Sequence, residues 1–487
     1  MKTMTRAAFL KRLGACSLGM AGVPFLQSSK TSSAAPGKTR PNVVFVFCDD
    51  LGWADLPCHG YRSVKAHGGW IVRGDLRMPN IDRMASEGTL FTQFYVASAV
   101  CSPSRTGIMT GMCPSRLGIH DYLANHDLNT ERGMPDYVDP SVPTLTRILR
   151  DSGYSTAHFG KWHLSGGAVK DAPKPEEYGI DVYNDCRNGP GGRPGSTEMI
   201  ADEAINFIRK HRDGPFYINA WLYDPHSPLH PTDEHLEPYK HLSPRWGDNK
   251  GALQVWYAVL SNIDRHVGRI LDTLDELGLS DNTIVVFSSD NGPETGLIPF
   301  VSHYGGASST NTGPFRGIKR SLYEGGIREP FIVRWPGVTP AGAVDSNTVI
   351  GGVDFLPTIT SIAGATIPGG MDHDGEDMSG AIKGKRQEKN KPLMWENRFP
   401  VYGHVIHKSP VLAIREGDWK LLMNPDRSRT ELYNIPTDPT ELNNVAEKHP
   451  GIVDRLASRL LTWQATLPEG PIHPDAGSNA YPWPGSD

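Results

Sequence analysis

The chain has 487 residues, of which 38% are hydrophobic and 21% are charged, and its formal net charge is −5. This balance is typical of a folded globular protein and excludes a largely disordered chain. It also lacks the strongly basic character that nucleic-acid binding requires, so we expect no nucleic-acid partner. The length predicts one large domain with a smaller companion.

The N-terminal residues show the order of charge and hydropathy found in export signals. A positively charged stretch precedes Leu13 to Leu26, a mostly apolar run that is too short to span a membrane. We therefore predict a signal segment at 1–37, a periplasmic or extracellular protein, and no stable membrane insertion. Ala7 stands where a twin-arginine signal has its second arginine, so both that route and the general secretory route stay open.

Six cysteines are present, and removal of Cys16 with the signal would leave five. An odd number in an exported protein implies at least one unpaired thiol. We interpret Cys48, Cys113 and Cys186 as small buried apolar residues.

Four short runs, rich in β-branched and aromatic residues, predict strands that are buried on both faces. A one-faced apolar pattern with a 3.6-residue period predicts a helix at 257–277. Alternating strands and helices favour a large, mostly parallel sheet sandwiched by helices, in a domain spanning 38–385. The predicted strands are Pro41 to Phe47, Pro215 to Leu222, Thr283 to Phe287 and Pro330 to Trp335.

The pattern changes after about residue 385. Val411 to Arg415 and Trp419 to Met423 predict a hairpin, and 451–465 predicts a helix. We therefore expect a C-terminal subdomain at 386–487, built from a small antiparallel sheet and a helix. The Gly- and Pro-rich stretch at 165–196 is interpreted as a surface loop near the site.

Oxygen-bearing side chains follow two of the predicted strands. Asp49 and Asp50 follow the first, and Asp290 and Asn291 follow the strand at 283–287. Open α/β sheets bind ligands at the carboxyl ends of their strands. Each pair alone is typical of a turn or a helix cap, but the repeated layout favours a hard cation, Ca²⁺ or Mg²⁺.

The strongest signal is Cys101, which is followed by Ser-Pro-Ser-Arg and, further on, by Thr110 and Gly111. Pro103 is typical of the first turn of a helix, which would place Cys101 at the positive end of the helix dipole. We therefore expect a reactive thiol with a lowered pKa.

This C-x-P-S-R-x-x-x-x-T-G pattern resembles the signature of the type I sulfatases of the alkaline phosphatase superfamily. In that family a maturation enzyme, the formylglycine-generating system, oxidises the cysteine to Cα-formylglycine. Further blocks resemble the family in the same order, and the last is most similar to bacterial sulfatases related to N-acetylgalactosamine-6-sulfatases. These blocks are GKWHL from Gly160, DPHSPLH from Asp224, SSDNG from Ser288 and FRGIKRSLYEGGIREP from Phe315.

The resemblance implies an alkaline phosphatase-like fold and a site with assigned roles. One Ca²⁺ would be bound by Asp49, Asp50, Cys101, Asp290 and Asn291. Hydrated formylglycine at position 101 would attack the sulfur of a sulfate ester. The catalytic residues implied by the resemblance are Cys101, Arg105, Lys161, His163, His226 and Lys319.

Within that set, Arg105, Lys161 and Lys319 would neutralise the sulfate oxygens. His226 and Lys319 would protonate the leaving oxygen, and His163 would accept a proton. Arg316 and Arg320, beside Lys319, offer the alternative of solvated surface cations.

The implied activity is the hydrolysis of sulfate monoesters on a sulfated carbohydrate, such as N-acetylgalactosamine 6-sulfate or a related galactose sulfate. Two alternatives stay open. One is a phosphonate or phosphodiester hydrolase of the same superfamily, and the other is a non-catalytic binder of sulfated glycans.

Overall fold

The computed structural model describes residues 40–60, 63–66, 69–72, 76–187, 194–242, 252–294 and 312–479. The predicted signal segment at 1–37 lies outside these residues. The described strands are β1 Asn42–Cys48, β2 Ser63–Ala66, β3 Gly69–Val72, β4 Thr89–Tyr95, β5 Ser155–Gly160, β6 Val182–Asn184, β7 Phe216–Trp221, β8 Thr283–Ser289, β9 Arg328–Arg334, β10 Ala343–Asp345, β11 Ile350–Gly351, β12 Leu393–Glu396, β13 Leu412–Glu416, β14 Trp419–Met423 and β15 Glu431–Asn434.

Helices connect most of these strands and cover both faces of the larger sheet. Predicted helix 257–277 is confirmed, although it begins five residues earlier than expected, and the predicted C-terminal helix is confirmed to within one residue. The helices are α1 Pro79–Glu87, α2 Cys101–Thr110, α3 His126–Glu131, α4 Leu145–Asp151, α5 Ser196–His211, α6 Asp233–Leu236, α7 Ala252–Glu276, α8 Glu324–Ile327, α9 Phe355–Ala363, α10 Ser379–Ile382 and α11 Pro450–Gln464.

The large sheet has nine strands in the order β10-β4-β9-β8-β1-β7-β5-β6, and β11 also pairs with β4. Every pairing is parallel except those of β9 with β4 and with β8. All four predicted strands are confirmed, with ends that shift by at most two residues. The sheet is therefore mixed but mostly parallel, as expected.

The central strand β1 shows why its sequence is almost continuously apolar. Val43, Phe45 and Phe47 pack into a core that includes α4 and α9, while Val44 and Val46 pack into a second core that includes α1, α5 and α7. A strand that is buried on both faces has no polar side to alternate with its apolar side.

The smaller sheet is antiparallel and has the order β12-β13-β14-β15. Strands β13 and β14 form the predicted hairpin, and α11 packs against them. This sheet confirms the second part of the expected architecture. The boundary at residue 385 stays a prediction.

The described cysteines are all unpaired, and Cys48, Cys113 and Cys186 are buried as expected. In the described part of the chain, none of the helices combines the length and the apolar character that crossing a membrane would need.

Candidate active site

The carboxyl ends of β1 and β8 place four oxygen-bearing side chains together. The two strands pair in parallel and in register, so the residues that follow them leave the sheet at the same edge. The amide of Asp50 donates to Oδ1 of Asp290 at 3.2 Å, and Nδ2 of Asn291 donates to Oδ1 of Asp50 at 2.6 Å. Asp50 has a φ of 67°, a conformation that non-glycine residues rarely adopt and that often marks functional sites.

Helix α2 presents Cys101 at its first residue, as the position of Pro103 predicted. All ten residues of α2 are buried, so its position against the sheet is fixed by packing on every side. Gly111 ends the helix with a φ of 67°, and its amide donates to the carbonyl of Gly107. The glycine that closes the motif therefore has a structural reason, because a left-handed helix end favours a residue without a Cβ.

The thiol of Cys101 differs from the sequence-based expectation. Burial raises the pKa of Cys101 above its usual value, and the ammonium groups of Lys161 and Lys319 oppose this effect without reversing it. The expected lowering of the pKa is therefore wrong. The side chain is only 3% exposed, and the cost of burying a thiolate exceeds what the helix dipole and the nearby cations return.

Arg105 lies one turn beyond Cys101 and is fully buried. Its Nε and Nη2 donate to Oδ2 of Asp290 at 2.9 and 2.6 Å, and its Nη1 donates to the carbonyl of Lys161 at 3.1 Å. The guanidinium also lies over the rings of Phe47 and Trp221. The guanidinium of Arg105 therefore binds other groups of the protein beneath the cavity.

Two lysines neutralise the carboxylates that follow β1. Nζ of Lys161 lies 2.5 Å from Oδ2 of Asp49, and Nζ of Lys319 lies 2.5 Å from Oδ1 of Asp50. Burial alone would raise the pKa of Asp49, but Lys161 and the other positive groups around it together outweigh burial and hold the pKa well below its usual value. The pKa of Asp50 is lowered in the same way against the effect of burial, and Lys319 makes the largest contribution to the lowering.

The third carboxyl behaves differently from these two. Burial raises the pKa of Asp290 to about 7, with Asp49 adding to the increase and Arg105 opposing it. Three carboxylates in one buried cluster repel each other, so the cluster favours a bound cation in addition to the protein's own.

Two histidines face the same cavity. Nε2 of His226 lies 3.7 Å from Oδ2 of Asp50, and Nε2 of His163 lies 3.1 Å from the carbonyl of Leu123. Burial lowers the pKa of His226 to about 4 and lowers that of His163 well below its usual value. Both imidazoles are therefore neutral at neutral pH in this structure.

Lys161 and His163 both line the cavity. They follow β5 in irregular backbone rather than in an extended segment, and His163 has a φ of 57°. Their common direction comes from the turn after β5 and not from strand alternation.

The oxygens of this cluster fit a hard metal ion. Oδ1 of Asp49, Oδ2 of Asp50 and Oδ1 of Asn291 are buried without a hydrogen-bond partner, and such atoms are costly unless something binds them. One ligand atom each from Asp49, Cys101 and Asp290 lie within 4.8 Å of one another. The acidic cluster is thus able to hold a divalent cation.

The cluster opens into a cavity of about 670 Å³. Its inner end is lined by predicted residues, namely Asp50, Cys101, Lys161, His163, His226 and Lys319. Asp49, Arg105, Asp290 and Asn291 lie behind that surface and touch its members. The structure therefore brings all ten predicted site residues together.

The outer part of the cavity is lined by residues that sequence reasoning missed. Most of them come from segments without a motif, so only the fold places them at the site, whereas Arg320 belongs to the block that begins at Phe315. These residues include Tyr122, Tyr183, Asp185, Arg187, Tyr223, Glu294 and Arg320.

The alternative reading of the arginines beside Lys319 as solvated cations is wrong. Arg320 is 8% exposed, and its Nη1 donates to Glu294 at 2.6 Å. The guanidinium of Arg316 lies over the ring of Tyr323, 3.7 Å from its centroid. Both are held by the fold because their loop lies between the two sheets.

Comparison with known proteins gives the class of this one. Residues 41–365 match the sulfatase family model, and residues 316–466 match the model of the C-terminal region of N-sulphoglucosamine sulphohydrolase. The chain belongs to the sulfatase family. It is a sulfuric ester hydrolase, and the activity that the site performs is the hydrolysis of sulfate esters.

Its relatives include carbohydrate sulfatases, together with an arylsulfatase and a steryl-sulfatase. It is 26% identical to the N-acetylgalactosamine-6-O-sulfatase of Bacteroides thetaiotaomicron, over 86% of this chain and 92% of that one. It is 31% identical to the mouse N-acetylgalactosamine-6-sulfatase, over 74% and 70% of the two chains. The crystal structure of Ps i-CgsB in complex with k-i-k-neocarrahexaose is similar with a TM-score of 0.71 and 25% identity, covering 91% of this chain and 97% of that one.

Proposed function

We propose that this sulfatase removes sulfate from a sulfated carbohydrate, such as N-acetylgalactosamine 6-sulfate or a related galactose sulfate. The relatives named above support that substrate class. The observation that supports the catalytic part of this proposal is the buried cluster of oxygens that lack hydrogen-bond partners and lie beside Cys101 and two lysines. A phosphodiesterase of the same superfamily is the alternative that the assay below tests.

The cluster would hold one Ca²⁺ through Asp49, Asp50, Asp290, Asn291 and the oxygen formed at position 101. Calcium, when bound, would neutralise charge on the sulfate group and lower the pKa of an oxygen bound to it. Formylglycine made from Cys101 would supply, once hydrated, the hydroxyl that attacks sulfur.

The chain's own cations would bind and orient the sulfate. Lys161 and Lys319 line the cavity, and each already holds a carboxylate of the cluster, so their positions are fixed before the substrate arrives. Fixed positive charge of this kind stabilises the charge that develops on the sulfate oxygens. Arg105 would act by holding Asp290 and the backbone of Lys161, and not by direct contact with the substrate.

Two residues would supply a proton to the departing sugar oxygen. Asp50 is among the groups that raise the pKa of Lys319, so its ammonium is charged at neutral pH. His226 is neutral in this structure, but an anionic sulfate beside it would raise its pKa toward the range of a useful acid. His163 is neutral in this structure, so it would be able to accept the proton that the second hydroxyl at position 101 loses.

We also propose that the protein is exported to the periplasm or beyond, that 1–37 is its signal, and that a maturation enzyme acts on Cys101. Its domain boundaries are proposed at 38–385 and 386–487. Cleavage of the signal is checked by N-terminal sequencing of the mature protein from a native-like host.

The test uses protein produced in a host with a formylglycine-generating system. We expect mass spectrometry of the peptide across position 101 to show a loss of about 18 Da relative to the thiol. The matured protein should release sulfate from N-acetylgalactosamine 6-sulfate or a galactose sulfate, lose this activity on thorough chelation, and regain it with Ca²⁺.

An aryl phosphodiester measured in parallel separates the alternative activity. A higher kcat/KM for the phosphodiester than for every sulfated sugar would contradict the proposal. Activity that persists after thorough chelation would contradict the metal assignment alone.

A further inference from the structure

The outer wall of the cavity contains a group of residues that the proposed chemistry does not use. Strand β6 is the edge strand of the large sheet, and it carries Tyr183. Asp185 and Arg187 follow it, and Tyr223 follows β7. We call these four residues the β6 wall. All of them line the same cavity as Cys101.

Tyr183 is an exposed aromatic residue in a fixed position. It is 39% exposed, and its ring stacks on that of His158 with centroids 5.8 Å apart and an interplanar angle of 23°. His158 is fully buried and meets the rings of Trp162 and Trp221 edge-on, with centroids 5.0 Å away in each case. Three buried rings therefore support one exposed ring at the cavity, which presents an apolar surface of the kind that packs against a sugar ring.

Arg187 is held by a neighbouring buried tyrosine. Its Nε donates to the hydroxyl of Tyr223 at 3.1 Å, and its guanidinium lies 5.4 Å from the centroid of that ring. The same hydroxyl donates to the backbone carbonyl of Asp185 at 3.0 Å. Tyr223 is 1% exposed, so it anchors the guanidinium at Nε, and among the described residues the two terminal nitrogens have no hydrogen-bond partner.

Arg187 also differs from the other cations of the cavity in its charge balance. Lys161, Lys319 and Arg320 each form an ion pair with a carboxylate at 2.5 or 2.6 Å. Within the described part of the chain, no carboxylate lies at ion-pair distance from Arg187, and the carboxylate of Asp185 accepts the backbone amide of Arg187 instead. A guanidinium without a carboxylate in a substrate cavity is suited to an anionic group of the ligand.

We propose that Tyr183 and Arg187 form a second subsite, which binds the sugar unit next to the one that loses its sulfate. Tyr183 packs against the ring of that unit, and Arg187 pairs with an anionic group on it, either a sulfate or a carboxylate. The preferred substrate is then an oligosaccharide with at least two anionic groups. This inference rests on the proposed function, since it assumes a sulfated carbohydrate in the inner end of the cavity.

The test measures binding, so that it does not depend on turnover. Full-length protein with Cys101→Ala is loaded with Ca²⁺ and titrated calorimetrically with three disaccharides that share one sulfated unit. The second unit is neutral, carries a carboxylate, or carries a sulfate. We expect Arg187→Ala in this background to weaken binding about 10-fold for a disaccharide with a second anionic group, as the loss of a charge-assisted hydrogen bond predicts.

The neutral disaccharide should bind equally well to both proteins, and Arg187→Lys should retain part of the preference. The two anionic disaccharides show which group Arg187 selects. Tyr183→Ala should weaken all three disaccharides but leave the sulfated monosaccharide unchanged. Arg212→Ala is the charge-matched control, because Arg212 is exposed and lies outside the cavity lining.

Equal weakening of all three disaccharides by Arg187→Ala, or no weakening of any, would overturn the subsite. Loss of monosaccharide binding in the Cys101→Ala protein itself would instead count against the proposed function. The two failures are therefore distinguishable.

Discussion

The large and the small sheet contribute to the active site in different ways. The large sheet supplies the reacting end directly, since the oxygens proposed to bind the metal follow β1 and β8, and Cys101 begins the helix after β4. The small sheet supplies none of the described residues that line the cavity. It acts on the site indirectly, because it holds the loop that contains Lys319.

That loop, residues 316–324, is tied to the small sheet and its connections along its whole length. The ties are hydrogen bonds from the amide of Gly317 to Nδ1 of His407 (3.2 Å), from Nδ2 of Asn397 to the carbonyl of Arg320 (2.6 Å), from the amide of Leu322 to Oγ of Ser409 (2.9 Å) and from the amide of Glu324 to Oε2 of Glu441 (2.6 Å). The difference teaches that a residue of the small sheet affects catalysis indirectly, for example by moving Lys319 or by destabilising the fold.

The largest effect is expected in the large sheet, at Cys101. Cys101→Ala removes the precursor of the nucleophile, so we expect kcat/KM for a sulfated sugar to fall by at least about 10³-fold. The melting temperature should hardly change, because the substitution removes one atom. The matched control is Cys113→Ala, which alters another buried thiol, outside the catalytic cavity. Normal turnover by Cys101→Ala would remove the basis of the assigned mechanism.

The cluster of acidic and amide side chains could be predicted because its information is local, whereas the lysines and histidines of the site are assigned through the family resemblance. Asp49 and Asp50 follow their strand directly, as Asp290 and Asn291 follow theirs, and a parallel pair of strands brings such residues together without further knowledge. The thiol pKa of Cys101 could not be predicted, since it depends on burial by elements distant in the chain.

The β6 wall, in contrast, could not be predicted from the sequence. Residues 165–196 read as a surface loop, yet Val182–Asn184 pairs with β5 and extends the large sheet. A strand of three residues is too short to be recognised from its sequence pattern. As an edge strand it also needs only one partner and one buried face. Tyr183 and Arg187 reach the cavity through this pairing, which is why sequence reasoning missed them.

A smaller effect on activity is expected from Asn397, which ties the small sheet to the residue after Lys319. Arg320 has a φ of 73°, an unfavourable conformation that its neighbours must hold in place. Asn397→Ala removes the hydrogen bond to its carbonyl. We expect kcat to fall about 10-fold with little change in KM, because a small displacement of a catalytic group slows the chemical step more than it weakens binding.

The control for Asn397→Ala is Asn424→Ala. Asn424 also makes hydrogen bonds within the small sheet region, to Val411 and Ser428, but it does not contact the Lys319 loop. Both variants are compared by kcat per folded molecule and by melting temperature. If the two lower the melting temperature equally and leave kcat unchanged, the small sheet has no positioning role.

The smallest effect on catalysis, but the clearest effect on stability, is expected at Lys420. This lysine of β14 is fully buried, and its Nζ lies 2.9 Å from a carboxylate oxygen of Glu324 and 2.9 Å from one of Glu441. Lys420→Met leaves two buried carboxyl groups without their shared cation. We expect the free energy of unfolding to fall by about 3–5 kcal/mol, while kcat per folded molecule stays within about 2-fold.

The pH dependence of that stability loss checks its electrostatic origin. Burial alone would raise the pKa of Glu324, but Lys420 together with Arg328 and Arg415 outweighs burial and lowers the pKa to about 2. A carboxyl with a depressed folded-state pKa stabilises the protein above its unfolded-state value and loses this contribution as the pH falls through the folded-state value. The difference between wild type and Lys420→Met should therefore shrink as the pH falls through about 7, where Glu441 becomes protonated, and again as it falls toward 2, where Glu324 does.

Lys385→Met, at an exposed lysine, is the matched control, and its stability difference from wild type should not change with pH in this way. A stability difference that does not change between pH 5 and pH 2.5, measured by chemical denaturation, would assign the loss to packing. A 10-fold loss of kcat in Lys420→Met would instead show that the charge cluster also positions the Lys319 loop. Asn397 would then not be the main tie between the small sheet and catalysis.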